Sequence, residues 1–200
     1  MMTQTDHRSR FQIDRRMLAP KAFYFCFYAA GSALIPYLTL YYASTGLSGR
    51  YIGLLAGLPP LITLAAAPFW GGVADASQRH RRVLLTTIAG AIATVLVLSL
   101  ASNLRQLLPL VAVYAFFSAP IISLVDNSVM AMLGPRREQY GRQRVWGAIG
   151  WGVAASFMGI LIERQGLHWS FYGYALFMGA GWLVARQMPV TASDSNGDYW

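Results

Sequence analysis

Residues 106–135 read QLLPLVAVYAFFSAPIISLVDNSVMAMLGP, a run of thirty residues with a single charge, Asp126. A helix needs about 20 mostly apolar residues to cross the hydrocarbon core of a bilayer, and this run is long enough. A charged side chain at that depth costs roughly 2.5 kcal/mol or more, so it usually faces a protein interior or a watery cavity. The run therefore predicts a membrane-spanning helix, and Asp126 is its best functional candidate.

The rest of the chain continues this pattern. Hydrophobic residues make up 56% of the sequence, charged residues make up 12%, and the mean hydropathy is +0.41. Five further uncharged windows, each of about the length of a spanning helix, lie at 22–49, 51–74, 83–104, 145–162 and 165–185. We therefore predict an all-α, polytopic membrane protein with six transmembrane helices at 22–188, preceded by an N-terminal arm (1–21) and followed by a polar tail (189–200).

Lysine and arginine residues are distributed unevenly among the connecting segments. Thirteen of the 16 fall on one predicted side of the membrane, and the other three are Arg50, Arg105 and Arg164. Because positive charge stays on the cytoplasmic side, both termini are predicted to be cytoplasmic. The net charge of +8 is then a consequence of topology in a cell membrane, the inner membrane in a bacterium, and no nucleic-acid partner is expected.

Residues typical of catalysis or metal binding do not cluster in the sequence. His7, His80 and His168 fall in three separate polar segments, and the lone Cys26 lies in the first apolar window. We find no metal-ligand cluster, no nucleophile with a base partner and no phosphate-binding glycine loop. The sequence therefore predicts neither an enzyme nor a cofactor.

Prolines and small residues indicate how the helices pack. Six prolines interrupt the windows, which a membrane tolerates because neighbouring helices satisfy the freed carbonyl groups. Small residues recur at Ala148, Gly152 and Ser156, and again at Ala155 and Gly159, a spacing typical of close helix contact. We therefore expect bent helices, with the fifth span packed closely through that small-residue face; the prolines are Pro36, Pro59, Pro60, Pro68, Pro109 and Pro120.

The segment between the second and third windows, residues 71–82, reads GGVADASQRHRR. It resembles the signature loop of the major facilitator superfamily: a glycine, three residues, an aspartate, two residues, a glycine and a basic cluster. Gly71, Asp75 and Arg79 match this pattern, whereas Gln78 replaces the second glycine. The resemblance implies a cytoplasmic gate formed by Gly71, Asp75 and Arg79. The alternative is an ordinary positively charged loop.

Residues 140–151, YGRQRVWGAIGW, together with Asp126, resemble the oligosaccharide:proton symporter branch of that superfamily, which includes lactose permease and related phenylpropionate and nucleoside permeases. The resemblance implies that Asp126 and Arg144 bind the solute and that Trp151 stacks on it. Other roles remain open from the residues: an interhelical hydrogen bond for Asp126, a side chain reaching the membrane interface for Arg144, and packing for Trp151.

The resemblance covers residues 22–188 and implies one half of a major facilitator fold, because complete transporters contain two six-helix halves, each built from two inverted three-helix repeats. We expect a half or truncated secondary active transporter that moves a small polar or weakly acidic solute by alternating access, coupled to protons. Its partner would be the missing C-terminal half or a second copy of the chain. The alternative is a noncatalytic membrane scaffold or partner subunit.

Overall fold

The computed structural model describes residues 17–188, and every regular element in this range is helical. A 3-10 turn at Gly134–Gln139 joins α5 to α6. The polar tail (189–200) and most of the N-terminal arm (1–21) lie outside the described residues. The seven α-helices of this range are α1 (Leu18–Ser44), α2 (Gly49–Ser77), α3 (His80–Leu98), α4 (Leu104–Ser118), α5 (Ile121–Leu133), α6 (Tyr140–Gln165) and α7 (Trp169–Ala185).

Four stretches of the described chain are long and apolar enough to cross a bilayer: Leu18–Ser44, Gly49–Ser77, His80–Leu98 and Leu104–Gln165. The first three coincide with α1, α2 and α3. The last contains α4, α5 and α6. The prediction of an all-helical protein with membrane-spanning segments is confirmed, while the number of six crossings stays a prediction.

Individual residues at the turns explain where the helices begin and end. At the end of α2, Gln78 adopts a left-handed conformation with φ 52°. This is the position at which the signature loop usually has a glycine, the residue that tolerates this conformation best. At the start of α4, the side-chain oxygen of Asn103 accepts a hydrogen bond of 3.1 Å from the backbone N–H of Gln106, which satisfies one of the unpaired donors of the first helical turn.

A proline divides the predicted fourth span into α4 and α5. Because Pro120 has no N–H, the carbonyl group of Phe116 loses the helical partner it would have four residues later. The indole N–H of Trp70 in α2 donates a 2.9 Å hydrogen bond to this carbonyl oxygen instead. The break in the span therefore also fastens α4 to α2.

The helices of the bundle pack in a few main pairs. Helix α1 packs against α6 and α7, α4 packs against α2 and α3, and α3 packs against α7. Tyr24, a residue of α1, has 0% of its surface exposed. The other largest fully buried side chains are those of Phe23, Leu34, Tyr42, Leu55, Leu84, Ile88, Leu98, Leu107, Ile121, Leu133 and Phe171.

Two glycines allow α1 and α6 to approach closely. A Cβ atom on Gly150 would collide with the backbone carbonyl of Phe25, and one on Gly147 would collide with the ring of Tyr28. The predicted contact is wrong for the described bundle at Ala148, Gly152 and Ser156, which are exposed, whereas Ala155 and Gly159 are half-buried. Gly147 and Gly150 occupy the face that meets α1.

Replacing Gly150 with alanine should destabilise the bundle. The added methyl group must displace the α1 backbone, and overpacking of this kind typically costs about 1–3 kcal/mol. Thermal unfolding of the detergent-purified chain measures the effect. The matched control is Gly152→Ala on the same helix, where an added Cβ meets no atom within 4 Å. Equal losses of stability in both variants would contradict this account of the packing.

The Trp70–Phe116 hydrogen bond should matter only while Pro120 leaves the carbonyl group unpaired. Trp70→Phe should cost about 1 kcal/mol, the usual value of such a bond. The loss should be smaller in a Pro120→Ala background, where the new N–H can pair with Phe116. A double-mutant cycle in thermal unfolding measures this coupling, and additive effects would show that the proline does not create the need for Trp70.

Candidate functional site

Asp126 lies in α5 and is half-buried between helices. Its Oδ1 accepts a 2.5 Å hydrogen bond from the hydroxyl group of Tyr24 in α1. Tyr24 itself is completely buried. The interhelical hydrogen bond considered from the sequence is therefore present, and it joins the carboxylate of α5 to α1.

Arg144 lies in the second turn of α6, and its side chain is exposed. Its Nη2 donates a 2.6 Å hydrogen bond to the hydroxyl oxygen of Tyr28 in α1. Its Nη1 donates a longer bond of 3.4 Å to the hydroxyl oxygen of Tyr140. The guanidinium carbon also lies 5.9 Å from the centre of the Tyr140 ring, within the range of a cation–π contact.

Tyrosine hydroxyl groups stand between the two charged groups. Tyr140 interacts with Asp126 as well as with Arg144. The charges of Asp126 and Arg144 also act on each other, yet within residues 17–188 no ion pair of 4.0 Å or less joins them directly. The structure thus brings both predicted residues into one cluster and links them through tyrosines.

Trp151 lies two turns beyond Arg144 on α6 and is 37% exposed. One part of its ring packs against α1 at Gly31, where an added Cβ atom would lie 3.3 Å from Cζ3 of the indole. The glycine therefore leaves room for the ring. The packing role considered from the sequence is present, and part of the ring remains uncovered.

The residues predicted to form a gate lie at the end of α2 and in the turn before α3. Asp75 has a 78% exposed side chain, and its Oδ1 lies 3.1 Å from Nε2 of His80. A Cβ atom added at Gly71 would meet nothing within 4 Å. Arg79 is exposed, and its backbone N–H donates a 3.3 Å hydrogen bond to Ser77. Within the described chain the aspartate therefore pairs with His80, and the gate role of Gly71, Asp75 and Arg79 stays a prediction.

Sequence reasoning missed the tyrosines of the site. Tyr24 and Tyr28 are four residues apart in the first window, which places both on one face of a helix. That spacing is the signal by which they could have been found. Tyr140 belongs to the YGRQRVWG stretch, where attention fell on the arginine and the tryptophan.

The cluster combines a carboxylate, a guanidinium group and three hydroxyl groups. Such groups can both accept and donate hydrogen bonds to a polar molecule, and bonds to charged groups are the stronger ones. Among the described residues, no group of three histidine, cysteine, aspartate or glutamate side chains could hold a metal ion. The groups of this cluster can recognise a polar molecule through hydrogen bonds.

Comparisons with known proteins agree with this architecture. The model of the MFS_1-like family matches residues 17–198. Similar curated proteins include a maltose permease of Geobacillus stearothermophilus, 29% identical over 84% of this chain and 43% of the relative. The uncharacterized transporter YwbF of Bacillus subtilis (strain 168) is 31% identical over 89% of this chain and 45% of its own length.

The crystal structure of the nucleoside transporter NupG has a similar fold. It superposes with a TM-score of 0.81 over 92% of this chain and 47% of NupG, at 16% sequence identity. The chain spans less than half the length of the curated relatives described above. The family match covers nearly the whole chain, and this chain therefore belongs to the MFS_1-like family of the major facilitator superfamily of membrane transporters.

Proposed function

We propose that the chain forms the N-terminal half of a secondary active transporter that moves a small polar or weakly acidic solute by alternating access, coupled to protons. The observation that carries this proposal is the cluster of Asp126 and Arg144, which tyrosine hydroxyl groups hold close together without a direct ion pair. A structural ion pair would satisfy both charges directly. A site for a polar solute needs charges whose hydrogen bonds a ligand can replace.

The arrangement of the helices supports six spans in two inverted three-helix repeats. If α4 and α5 form one bent span, the described helices give six spans. In two such repeats α1 corresponds to α4, α2 to α6, and α3 to α7. The α1–α6 contact then corresponds to the α4–α2 contact, and the α1–α7 contact to the α4–α3 contact. The α3–α7 contact corresponds to itself. All of these contacts are present, as the internal symmetry of such transporters requires.

The chemistry of the site favours a solute rich in hydroxyl groups. Asp126 can accept hydrogen bonds from hydroxyl groups, Arg144 can donate to them, and the uncovered part of Trp151 offers a flat apolar surface. The similarity to a maltose permease points in the same direction. We therefore propose a small sugar as the first solute to test, with Asp126, Arg144 and Trp151 as its binding residues.

Exposed apolar side chains on two helices support the proposal that the partner is a second six-helix half. Large apolar side chains are exposed on α2, including Leu61 at 66% and Leu64 at 76%, and on α6, including Phe157 at 60%. In the transporter these faces would be covered by lipid and by the second half, which rocks against the first around the solute. Gly71, Asp75 and Arg79 would then form part of the gate on the cytoplasmic side, the side that also holds both termini.

Charge-neutral substitutions at the two charged residues should abolish transport. Asp126→Asn and Arg144→Gln should each lower the uptake of radiolabelled maltose by about tenfold or more, because each removes a hydrogen bond to a charged group. Uptake is measured in cells that express the chain together with a C-terminal six-helix half. Fluorescence of a fused reporter measures membrane insertion, which should not change.

The matched controls are Glu163→Gln and Arg164→Gln, exposed residues near the end of α6, which should transport normally. Normal uptake by both the Asp126 and Arg144 variants would falsify the site assignment. A membrane scaffold without transport activity predicts instead that the unmodified chain gives no flux in proteoliposomes with any second half. Cross-linking would then show whether it pairs with a copy of itself.

A further inference from the structure

We propose that one face of α1, formed by Tyr24, Tyr28 and Gly31 and here called the α1 face, sets the positions of the three solute-binding residues. Tyr24 acts on Asp126, Tyr28 acts on Arg144, and Gly31 acts on Trp151. The inference rests on the proposed function, in which Asp126, Arg144 and Trp151 bind the solute. The contacts of these residues with α1 are present in the structure in any case. The three α1 residues are positioning residues, since each acts through a partner.

The spacing along the helices makes this correspondence possible. Residues 24, 28 and 31 follow one another at intervals of four and three, so they lie on the same side of α1. Tyr28 and Gly31 are three residues apart on α1, while their partners Arg144 and Trp151 are seven residues apart on α6. At about 1.5 Å per residue these separations are roughly 4.5 Å and 10 Å, and the long side chains of Tyr28 and Arg144, whose ends meet, make up the difference. One side of α1 therefore reaches both residues of α6.

Tyr24 fixes the carboxylate of Asp126. Its hydroxyl group donates the 2.5 Å hydrogen bond, and its ring has no exposed surface. A fully packed ring has little freedom to swing its hydroxyl group away. The direction of this bond therefore determines where the Asp126 carboxylate lies.

Tyr28 fixes the guanidinium group of Arg144. Its ring lies so close to Gly147 that no side chain fits between the two helices. The ring is thus held against α6, with its hydroxyl oxygen 2.6 Å from Nη2 of Arg144. An exposed arginine would otherwise sample many conformations.

Gly31 fixes the height of the Trp151 ring. A Cβ atom added at Gly31 would lie 3.3 Å from Cζ3 of Trp151, slightly closer than ordinary van der Waals contact. A methyl group there would push the indole outward by a few tenths of an ångström. The uncovered part of the ring would then shift relative to Arg144.

The consequence is that α1 keeps the two charges available. With their charges held by separate tyrosines, Asp126 and Arg144 stay near each other without closing into an ion pair, which would be a strong, bidentate interaction that excludes a ligand. Solute hydroxyl groups can then bind the acceptor and donor positions of the two charged groups that the tyrosines leave unused. The α1 face is therefore the element that keeps the site open.

Site-resolved chemical labelling of the purified full chain tests the correspondence without any solute. In Tyr24→Phe, labelling of Asp126 by dicyclohexylcarbodiimide should rise about tenfold, because the hydroxyl group that donates a hydrogen bond to Oδ1 is lost. In Tyr28→Phe, labelling of Arg144 by phenylglyoxal should rise by about the same factor. Mass spectrometry of peptides identifies each modified residue.

The decisive feature is that each variant changes one partner. Tyr24→Phe should leave Arg144 labelling unchanged, and Tyr28→Phe should leave Asp126 labelling unchanged. The matched control is Tyr37→Phe, since none of the hydrogen bonds among residues 17–188 involves the Tyr37 hydroxyl group. Arg164, exposed on the same helix as Arg144, serves as the internal reference. If Tyr24→Phe does not fold, Tyr28→Phe alone tests the inference, because Tyr28 is only half-buried.

Increased labelling of both residues in either tyrosine variant would mean that the tyrosines only hold the fold together, and it would overturn the inference. Unchanged labelling in both variants would overturn it as well. These outcomes are independent of solute, so they are distinguishable from a failure of the proposed function, which would show as no uptake of any sugar by the unmodified chain together with a second six-helix half.

Gly31 has its own measurement, the quenching of tryptophan fluorescence by 4-nitrophenyl α-maltoside in the full chain. Gly31→Ala should weaken binding of this probe several-fold and leave Asp126 and Arg144 labelling unchanged. Gly152→Ala, with open space around the added methyl group, is the control and should bind normally. If Gly31→Ala and the unmodified protein bind the probe with equal affinity, Gly31 does not position Trp151.

Discussion

A carboxylate inside an apolar helical bundle needs a hydrogen-bond donor, and in this protein Tyr24 supplies it to Asp126 at 2.5 Å. This bond ties α5 to α1, whose main neighbours in the described bundle are α6 and α7. Against α6, Gly147 and Gly150 leave room for the close approach of α1. Arg144 then lies within reach of Tyr28. The positions of both charges follow from the way α1 is packed.

The break at Pro120 serves the same arrangement. It lets the fourth predicted span change direction, so that Asp126 lies on the separate helix α5 and α4 remains fastened to α2 through Trp70 and Phe116. Deviations from a regular helix are tolerated in membranes where a neighbouring group satisfies the freed carbonyl. At the end of α2, Asp75 lies 3.1 Å from His80 across the short turn into α3. Local irregularities in the chain thus have partners in neighbouring helices.

The sequence was sufficient for the class of fold, because hydropathy and window length depend on composition alone. It also singled out Asp126, the one charge in a thirty-residue apolar run, while Arg144 was singled out by the resemblance of residues 140–151 to a transporter branch. It did not identify Tyr24 and Tyr28, because tyrosine is common in membrane proteins and its role depends on which helix it faces. For the same reason the glycines at 147 and 150 were overlooked in favour of the stripe at 148, 152 and 156. Which face of a helix meets its neighbour is decided by tertiary packing, and periodicity within one helix does not reveal it.

The central claim is that Asp126 faces a water-accessible solute pathway inside the transporter. The lone native cysteine, Cys26, allows a direct measurement in intact cells: introduce Asp126→Cys in a Cys26→Ser background and measure its reaction with a charged, membrane-impermeant methanethiosulfonate reagent. Leu176→Cys, at an apolar position exposed on α7, is the lipid-facing reference. Rapid reaction at position 126, slowed by an excess of maltose, with no reaction at position 176, is the expected result. A cysteine at position 126 as unreactive as the one at 176 would contradict the account.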